Sequence, residues 1–552
     1  MFRKRKANVK KDGLVKQTTL LLRKVSMVKT ILSVCFLFIF LFGAQGQFTN
    51  IMIDDVGDPE EPSIAINPKN TNEMVAGANI DNQYYSHDAG HTWTKQMLTS
   101  LWGVWGDPCI VTDTSGRFYF FHLSYSNSPN GWIDRIVCQR SDDAGMTWPV
   151  KSYMGLDNPK DEDKEWAVYD GNASSAYKGT MYVTWTQFDA YGSPALSDRS
   201  RILFSKSTDH GITWSSAQTI SQFTGDCIDS DHTAEGAVPA IGANGEVYVS
   251  WSLNDTIYFD RSIDGGQTWL ATDLVVSTQP GGWDYSIAGH DRTNGLPVTA
   301  TDLSGGPNHG TIYVNWSDQR NGIFDTDVWL SKSADGGNTW SLPARVNNDA
   351  AGRQNYLCWM AVDQATGILY FVFYDRRNYS SSSLNTDVYM AYSTDGGSTF
   401  TNVKISSTFF APTASQFFGD YTNISAYNGI IRPIWARMTN GASSVWTAIV
   451  DFPTGVSSAD YFSLHAELKN FPNPFSEITA ITFNSAVRQK LSLQLTDITG
   501  KKIADIFRDK VFGEGATEVE FDNSKYKLPP GIYILELSNA RYKEAAKICI
   551  VK

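Results

Sequence analysis

The sequence predicts an all-β chain: a propeller of seven four-stranded blades, with six as the alternative, followed by a small immunoglobulin-like β-sandwich. Three observations predict it. One octapeptide recurs six times, apolar period-two strands precede each copy in a common register, and the composition changes after about residue 457. With 42% hydrophobic and 13% aromatic residues, the 552-residue chain has ample apolar surface for buried cores, which excludes a disordered or fibrous protein.

The octapeptide reads SHDAGHTW from Ser86, SDDAGMTW from Ser141, STDHGITW from Ser207, SIDGGQTW from Ser262, SADGGNTW from Ser333 and STDGGSTF from Ser393. Its aspartates (Asp88, Asp143, Asp209, Asp264, Asp335, Asp395) are suited to accept hydrogen bonds from backbone N–H groups of their own turn. The glycine two positions later supplies a positive φ that other residues resist. The closing aromatic packs the turn against a sheet. These residues are structural staples of a hairpin, not chemistry.

Upstream of the copies lie five strands with tyrosine in register: 118–125, 181–188, 247–254, 312–319 and 369–376, carrying Tyr119, Tyr182, Tyr248, Tyr313 and Tyr370. A third column precedes them: 61–67, 107–113, 165–171, 237–243, 297–303, 357–363 and 419–425. Three strands, an Asp-bearing turn and a fourth strand make a propeller blade. The seventh unit, 419–452, lacks the octapeptide, and residues 48–54 are expected to supply its fourth strand and so close the ring.

Charge is unevenly spread. Residues 1–30 hold ten basic residues and one acidic, so the remainder of a chain with net charge −12 is strongly anionic. Such a body repels nucleic-acid phosphates, and no nucleic-acid partner is expected. The basic stretch precedes twelve apolar residues, 31–42, too few for a membrane-spanning helix of ~20 residues. With small residues at Ala44 and Gly46, residues 1–46 read as a secretory signal, its true start expected at Met27 if the first 26 residues are an over-extended gene start. No transmembrane segment is expected in the mature chain. Beyond the signal, which holds Cys35, five widely spaced cysteines (Cys109, Cys138, Cys227, Cys358, Cys549) show no zinc spacing and read as buried small hydrophobes.

The octapeptides resemble the Asp-box, or bacterial neuraminidase repeat, of sialidase-like propellers, within a domain drawn at 47–456. A linker over 457–465 leads to residues 466–552, whose FPNPF, GKKI and PPGIY segments resemble the C-terminal sorting domain of the type IX secretion system. That resemblance implies a Bacteroidetes-type bacterium, passage across the outer membrane with loss of this domain, and release or attachment at the cell surface. It also implies the secretion machinery as a partner; the mature protein is expected to be a monomer.

In a propeller the innermost strands begin and the second strands end on one face, away from the octapeptide turns, so any working site belongs there. Those positions offer Glu60, Glu61, Asp107, Lys164, Glu165, Trp166, Glu235, Arg292, Asp420 and Tyr421, with Arg320, Arg377 and Arg437 at second-strand ends. Carboxylates, arginines and aromatics at one funnel suit an extracellular glycan. Arg320, Arg377 and Arg437 are candidates to hold an acidic sugar, with Trp166 as a stacking surface; the competing reading is that Asp318–Arg320 and Asp375–Arg377 tie loops together. The sialidase resemblance implies Tyr421 as nucleophile, Glu235 or Glu165 as its partner and Asp107 as acid. However, the Arg-Ile-Pro motif of true sialidases is missing, and residues 48–83 contain no arginine. The readings left open are a sialidase-like glycosidase, a lyase using His122 and Tyr125, and a non-catalytic glycan- or protein-binding propeller. The acidic stretches 157–165 and 226–235 lack the twelve-residue calcium pattern and read as solvated loops, with structural calcium as the alternative; no other cofactor is expected.

Overall fold

The structure is a computed structural model that describes residues 48–125, 131–452, 468–485, 489–498, 500–513, 515–538 and 543–552. The signal segment and the linker lie outside the described residues. Between residues 48 and 452 the chain forms seven four-stranded antiparallel sheets. We number them as blades I (63–97), II (109–154), III (161–219), IV (235–278), V (298–345), VI (355–404) and VII (423–451 with 49–54). The first strand of each blade packs beside the first strands of its two neighbours, and blade I meets blade VII.

Thr49–Asp54 is the outer strand of blade VII, pairing antiparallel with Ala442–Asp451. It also ties the neighbouring blades. Asn50 donates to the Ile405 carbonyl of blade VI at 2.8 Å. On the other side Asp54 accepts from Tyr84 at 2.7 Å and pairs with Lys95 of blade I at 2.6 Å.

Second strands are buried along nearly their whole length, on both faces. The period-two pattern in the sequence marks only one apolar face. In the blade the other face is covered as well, because adjacent blades sandwich it; Trp185, Trp251, Trp316 and Trp435 are fully buried there.

Each octapeptide forms the same network. In blade V, Ser333 donates to Asp335 Oδ1 at 2.7 Å, Gly337 N–H donates to Ser333 Oγ at 2.9 Å, and Asp335 accepts from the backbone and the hydroxyl of Thr339 at 2.9 and 2.6 Å. The hydrogen bonds from Thr339 and Ser333 hold the Asp335 carboxyl at about 2. The network also reaches the preceding blade. The cation just before the octapeptide serine donates to the carbonyl of the fourth residue of the next copy: Arg140 to His210, Lys206 to Gly265, Arg261 to Gly336 and Lys332 to Gly396. Arg432 of blade VII does the same for Ala89 in blade I. The turn is therefore a fastening between blades as well as a hairpin corner.

Register places these corners. Ile66 is opposite Met74 and Met74 opposite Ser86; likewise Thr301, Ile312 and Ser333 lie side by side. The octapeptides thus sit at the ends of the first strands, on the face opposite the starts of those strands.

The C-terminal segment forms a three-stranded sheet (Lys469–Phe471, Ile478–Ser485, Gly515–Asp522) and a four-stranded sheet (Gln489–Asp497, Lys502–Phe512, Gly531–Ser538, Lys543–Ile550). They share one apolar core that includes Phe475, Ile481, Leu493, Phe521, Leu535 and Ile548. All five described cysteines are free thiols, and four of them are buried.

Two glycines separate the demands of backbone and space. Gly145, in an octapeptide, has φ +88°, and a Cβ there would lie 2.6 Å from Val75 Cγ2 of blade I; Gly352, in a loop, has φ +81° and open space around it. Gly352→Ala is expected to cost only the left-handed penalty of about 1–2 kcal/mol. Gly145→Ala is expected to add about 1–3 kcal/mol of overpacking to it, read from urea unfolding midpoints.

Candidate functional site

The site begins with a backbone feature. Glu61, Asp107, Lys164, Gly236 and Leu357 stand at equivalent points, two residues before a paired residue of five first strands, Gly419 stands four before that of blade VII, and all six have φ between 48° and 94°. In blades III, IV and VI this kink shifts the strand register between Asp163 and Trp166, Glu235 and Val238, and Tyr356 and Trp359. Four of the six are side chains larger than glycine in a conformation that costs each about 1–3 kcal/mol, a pattern that clusters at functional sites. Two residues after the kink come Trp166, Val238, Trp359 and Tyr421, all lining one axial cavity with about 50 Å³ open to the centres of water molecules.

Lys164 is the hub. Its Nζ lies 2.5 Å from Asp420 Oδ2, 3.6 Å from Asp107 Oδ2 and 3.7 Å from Glu61 Oε1, with every one of these side chains nearly buried. Arg292 clamps the same Asp420 through two nitrogens and reaches Asp229 at 3.1 Å. Asn79 bridges two blades, donating to Glu61 at 2.5 Å and accepting from the Asp107 backbone at 2.7 Å.

The charges respond unequally. Burial alone would raise Asp420, but Lys164 and Arg292 outweigh it and hold the carboxyl well below the usual range. Burial likewise works against the Lys164 ammonium, yet Asp107, Asp420 and Glu61 keep it firmly protonated. Burial raises Glu61 and Asp107 against the opposing pull of Lys164. Asp163 is pushed up by burial to about 6. Glu165 is driven well up by burial and then by Asp107, and Glu235 by burial and then by Asp229. The Tyr421 phenol is also pushed up, by burial and by Asp107.

Both oxygens of Glu165 and the Tyr421 hydroxyl are buried without a hydrogen-bond partner among the described residues. Buried polar groups are nearly always paired, so these two mark a place where water or a ligand is accommodated. The resulting set, Glu165 and Glu235 pushed well up beside Asp420 held low, is suited to donate protons and stabilise positive charge within one small space.

The expected site residues divide cleanly. Asp107, Glu165, Trp166 and Tyr421 line the axial cavity, and Glu235 lines an adjoining recess with Lys164, Asp229 and Arg292. Arg320, Arg377 and Arg437 do not line either. Arg320 is held by Asp318 and lies over Trp329, and Arg377 is held by Asp375, Asn348 and Asn402. Arg437 lies over Trp446. The arginine trio expected to hold an acidic sugar is therefore not assembled at the axis: the carboxylate two positions before Arg320 and Arg377 captures each within its own blade. His122 is buried in blade II, in contact with Gln139 at 3.0 Å and lowered by burial to about 4, apart from the exposed Tyr125.

The stretch read as a solvated acidic loop, 157–165, is corrected by the structure. From Asp161 it is the first strand of blade III, and Glu162, Asp163 and Glu165 are buried. Glu162 accepts from Trp185 and Gln187. In the other stretch Asp226 accepts from Thr233. Among the described residues no three His, Cys, Asp or Glu side chains form a metal-holding group.

Sequence reasoning gave Lys164, Arg292, Glu61 and Asp420 positions at the funnel but no roles, and it passed over Trp105, Trp132, Tyr191 and Trp359. Trp105 and Tyr191 stand on loops without periodic signal, and Trp132 opens a third strand. Trp359 was hidden by the bulge, which a strict alternation does not register.

The hub carries its own prediction. Lys164→Met leaves Asp107, Glu61 and part of Asp420 buried without their cation, and is expected to destabilise the propeller by about 3–5 kcal/mol at pH 7 in urea unfolding. The deficit is expected to shrink toward pH 5, as the uncompensated carboxyls take up protons in the folded state.

Residues 469–552 match the model of the secretion system C-terminal sorting domain, and residues 84–95 match the BNR/Asp-box repeat. No curated protein matches the chain. Among solved structures, the chain is similar to the Hadza microbial sialidase Hz136, at 14% identity and TM-score 0.39, covering 70% of this chain and 75% of that one. It is also similar to an ulvan lyase of polysaccharide lyase family PL25, at 12% identity and TM-score 0.45, covering 74% and 97%. A third similar structure is YCF48 bound to D1 peptide, at 10% identity and TM-score 0.39, covering 75% and 98%. Among the described residues no helix is long and apolar enough to cross a membrane. The chain is an Asp-box β-propeller protein that carries a secretion-system sorting domain at its C-terminal end.

Proposed function

We propose that this chain is exported by the type IX route, to the cell surface or beyond it, and that its propeller engages an extracellular glycan at the axial site. The sorting domain supports the destination. The single observation that carries the site is the pair of buried, unpartnered groups, Glu165 and Tyr421, facing a cavity walled by Trp166 and Trp359. Perturbed acids converging on an aromatic-walled recess are the usual mark of a working site.

The chemistry this set supports is cleavage of a glycosidic bond. Glu165, neutral because it is buried near Asp107, is the proton donor to the departing oxygen. Asp107, beside Lys164, is the carboxylate placed to stabilise the positive charge that develops on the sugar as the bond breaks; a water then adds to the sugar carbon and returns a proton to Glu165. Tyr421 has no base hydrogen-bonded to its hydroxyl, and its phenol is pushed up, so it positions the sugar in this reading and does not attack it. A second reading, binding without turnover, is favoured by the size of the cavity, which is far below the ~300 Å³ of a typical small-molecule pocket.

The test is turnover by the mature chain on neutral glycosides and on sialosides. Glu165→Gln is expected to lower kcat by about 10²–10⁴ while leaving glycan binding intact. Activity is expected to persist while Glu165 is protonated and to fall as pH rises through its elevated pKa. Binding without turnover in the wild type selects the second reading; absence of any glycan binding overturns both.

A further inference from the structure

We propose that the axial mouth takes a neutral glycan chain of several units, laid along an aromatic track on the rim of blades II and III; this rests on the glycan reading above. Trp105, Trp132 and Tyr191 line a recess of about 130 Å³ at the mouth, together with Glu61, Asp107, Lys164 and Arg292. The rings continue outward. Tyr191 meets Trp132 edge-on with centroids 5.5 Å apart, Trp132 meets Trp105 at 6.2 Å, and Trp105 stacks on Tyr125 at 4.8 Å. Trp105 is 36% exposed, Trp132 37% and Tyr125 47%, in a propeller whose other large rings are mostly core. A row of rings left in water beside a cavity marks a binding surface.

A sugar fits this surface for a physical reason. The face of a pyranose presents partly positive C–H groups, which the electron-rich face of an aromatic ring attracts, while the hydroxyl edges remain free for the carboxylates and the tyrosine hydroxyls. Because neighbouring rings stack on or meet one another edge-on, the row addresses a run of sugar units through its outward faces and edges, not one unit per ring. The inner cavity is too small to hold much more than a terminal substituent, which leaves most of the contact to the track.

Charge selects a neutral chain. The mouth and its floor carry Glu61, Asp107, Asp163, Asp229 and Asp420 against two cations, and both cations are already engaged, Lys164 with Asp420 and Arg292 with Asp420 and Asp229. A uronate or sialic acid would meet a floor of carboxyls and, among the described residues, no unengaged guanidinium to receive it.

The experiment is calorimetric titration of the mature full chain with cello-, manno-, xylo- and N-acetylchito-oligosaccharides as dimers and pentamers, and with oligogalacturonides of the same lengths. At least one neutral pentamer is expected to bind about tenfold more tightly than its dimer and than the galacturonide pentamer. Trp132→Ala and, separately, Tyr125→Ala are each expected to weaken pentamer binding by about fivefold or more and to leave dimer binding within about twofold. Tyr125 is the more exposed of the two, so its variant keeps the test decisive if Trp132→Ala fails to fold. Equal affinity for dimer and pentamer, unaffected pentamer binding in Tyr125→Ala, or tighter binding of the galacturonide overturns the proposal. A dimer that binds or is cleaved at Glu165 without any effect of length removes the track and leaves the axial reading standing; no binding by any probe removes both.

Discussion

A ring of sheets holds together only if its last member finds its first. Here the closing contact is the pairing of Thr49–Asp54 with Ala442–Asp451, which joins the two ends of the propeller in one sheet. Without it, blade VII would present Ala442–Asp451 as an open edge, and blade I would lose the Asp54 carboxylate that ties Tyr84 and Lys95. Everything at the axis depends on that closure. Lys164 of blade III, Asp107 of blade II, Glu61 of blade I and Asp420 just before blade VII meet only because the ring brings distant parts of the chain round to one point.

The two faces of the disc then do different work. On one, each octapeptide folds on its own aspartate, and five of the six accept a hydrogen bond from a cation of the preceding blade while the blade II copy accepts one from Gln83, so stability is distributed as a series of repeated fastenings. On the other, six of the seven first strands start in a left-handed kink, occupied in blades I to III by the charged Glu61, Asp107 and Lys164 and followed two residues later in blades III, IV and VI by Trp166, Val238 and Trp359 of the cavity wall. Regularity serves the fastening face and irregularity serves the axial face. A fold that repeats seven times can carry one asymmetric site because the kink position is free to vary: Glu61, Asp107, Lys164 and Leu357 occupy the same place in four blades and differ in charge.

That asymmetry gives the axial site its chemical character. Lys164 and Arg292 among carboxyls split their behaviour, holding Asp420 low while burial and neighbouring carboxyls push Glu165 and Glu235 well up. The same balance leaves no cation at the mouth unengaged among the described residues, so the mouth is better matched to hydroxyls than to anions.

The octapeptide, its six-fold recurrence and the tyrosine register made the blades readable before any coordinates, because hairpin turns and strand alternation are local properties of a few consecutive residues. The position of Thr49–Asp54 followed from counting strands in a ring that must close. The side of the disc on which Asp107, Glu165 and Tyr421 gather was legible for the same reason. Partners were not. Asp318 and Asp375 capture Arg320 and Arg377 inside their own blades, whereas Lys164 finds its carboxylates from three others, and only the closed ring decides which charges come within a few ångströms. Sequence spacing determines turns and strands; burial and the pairing of charges from remote segments are properties of the assembled disc.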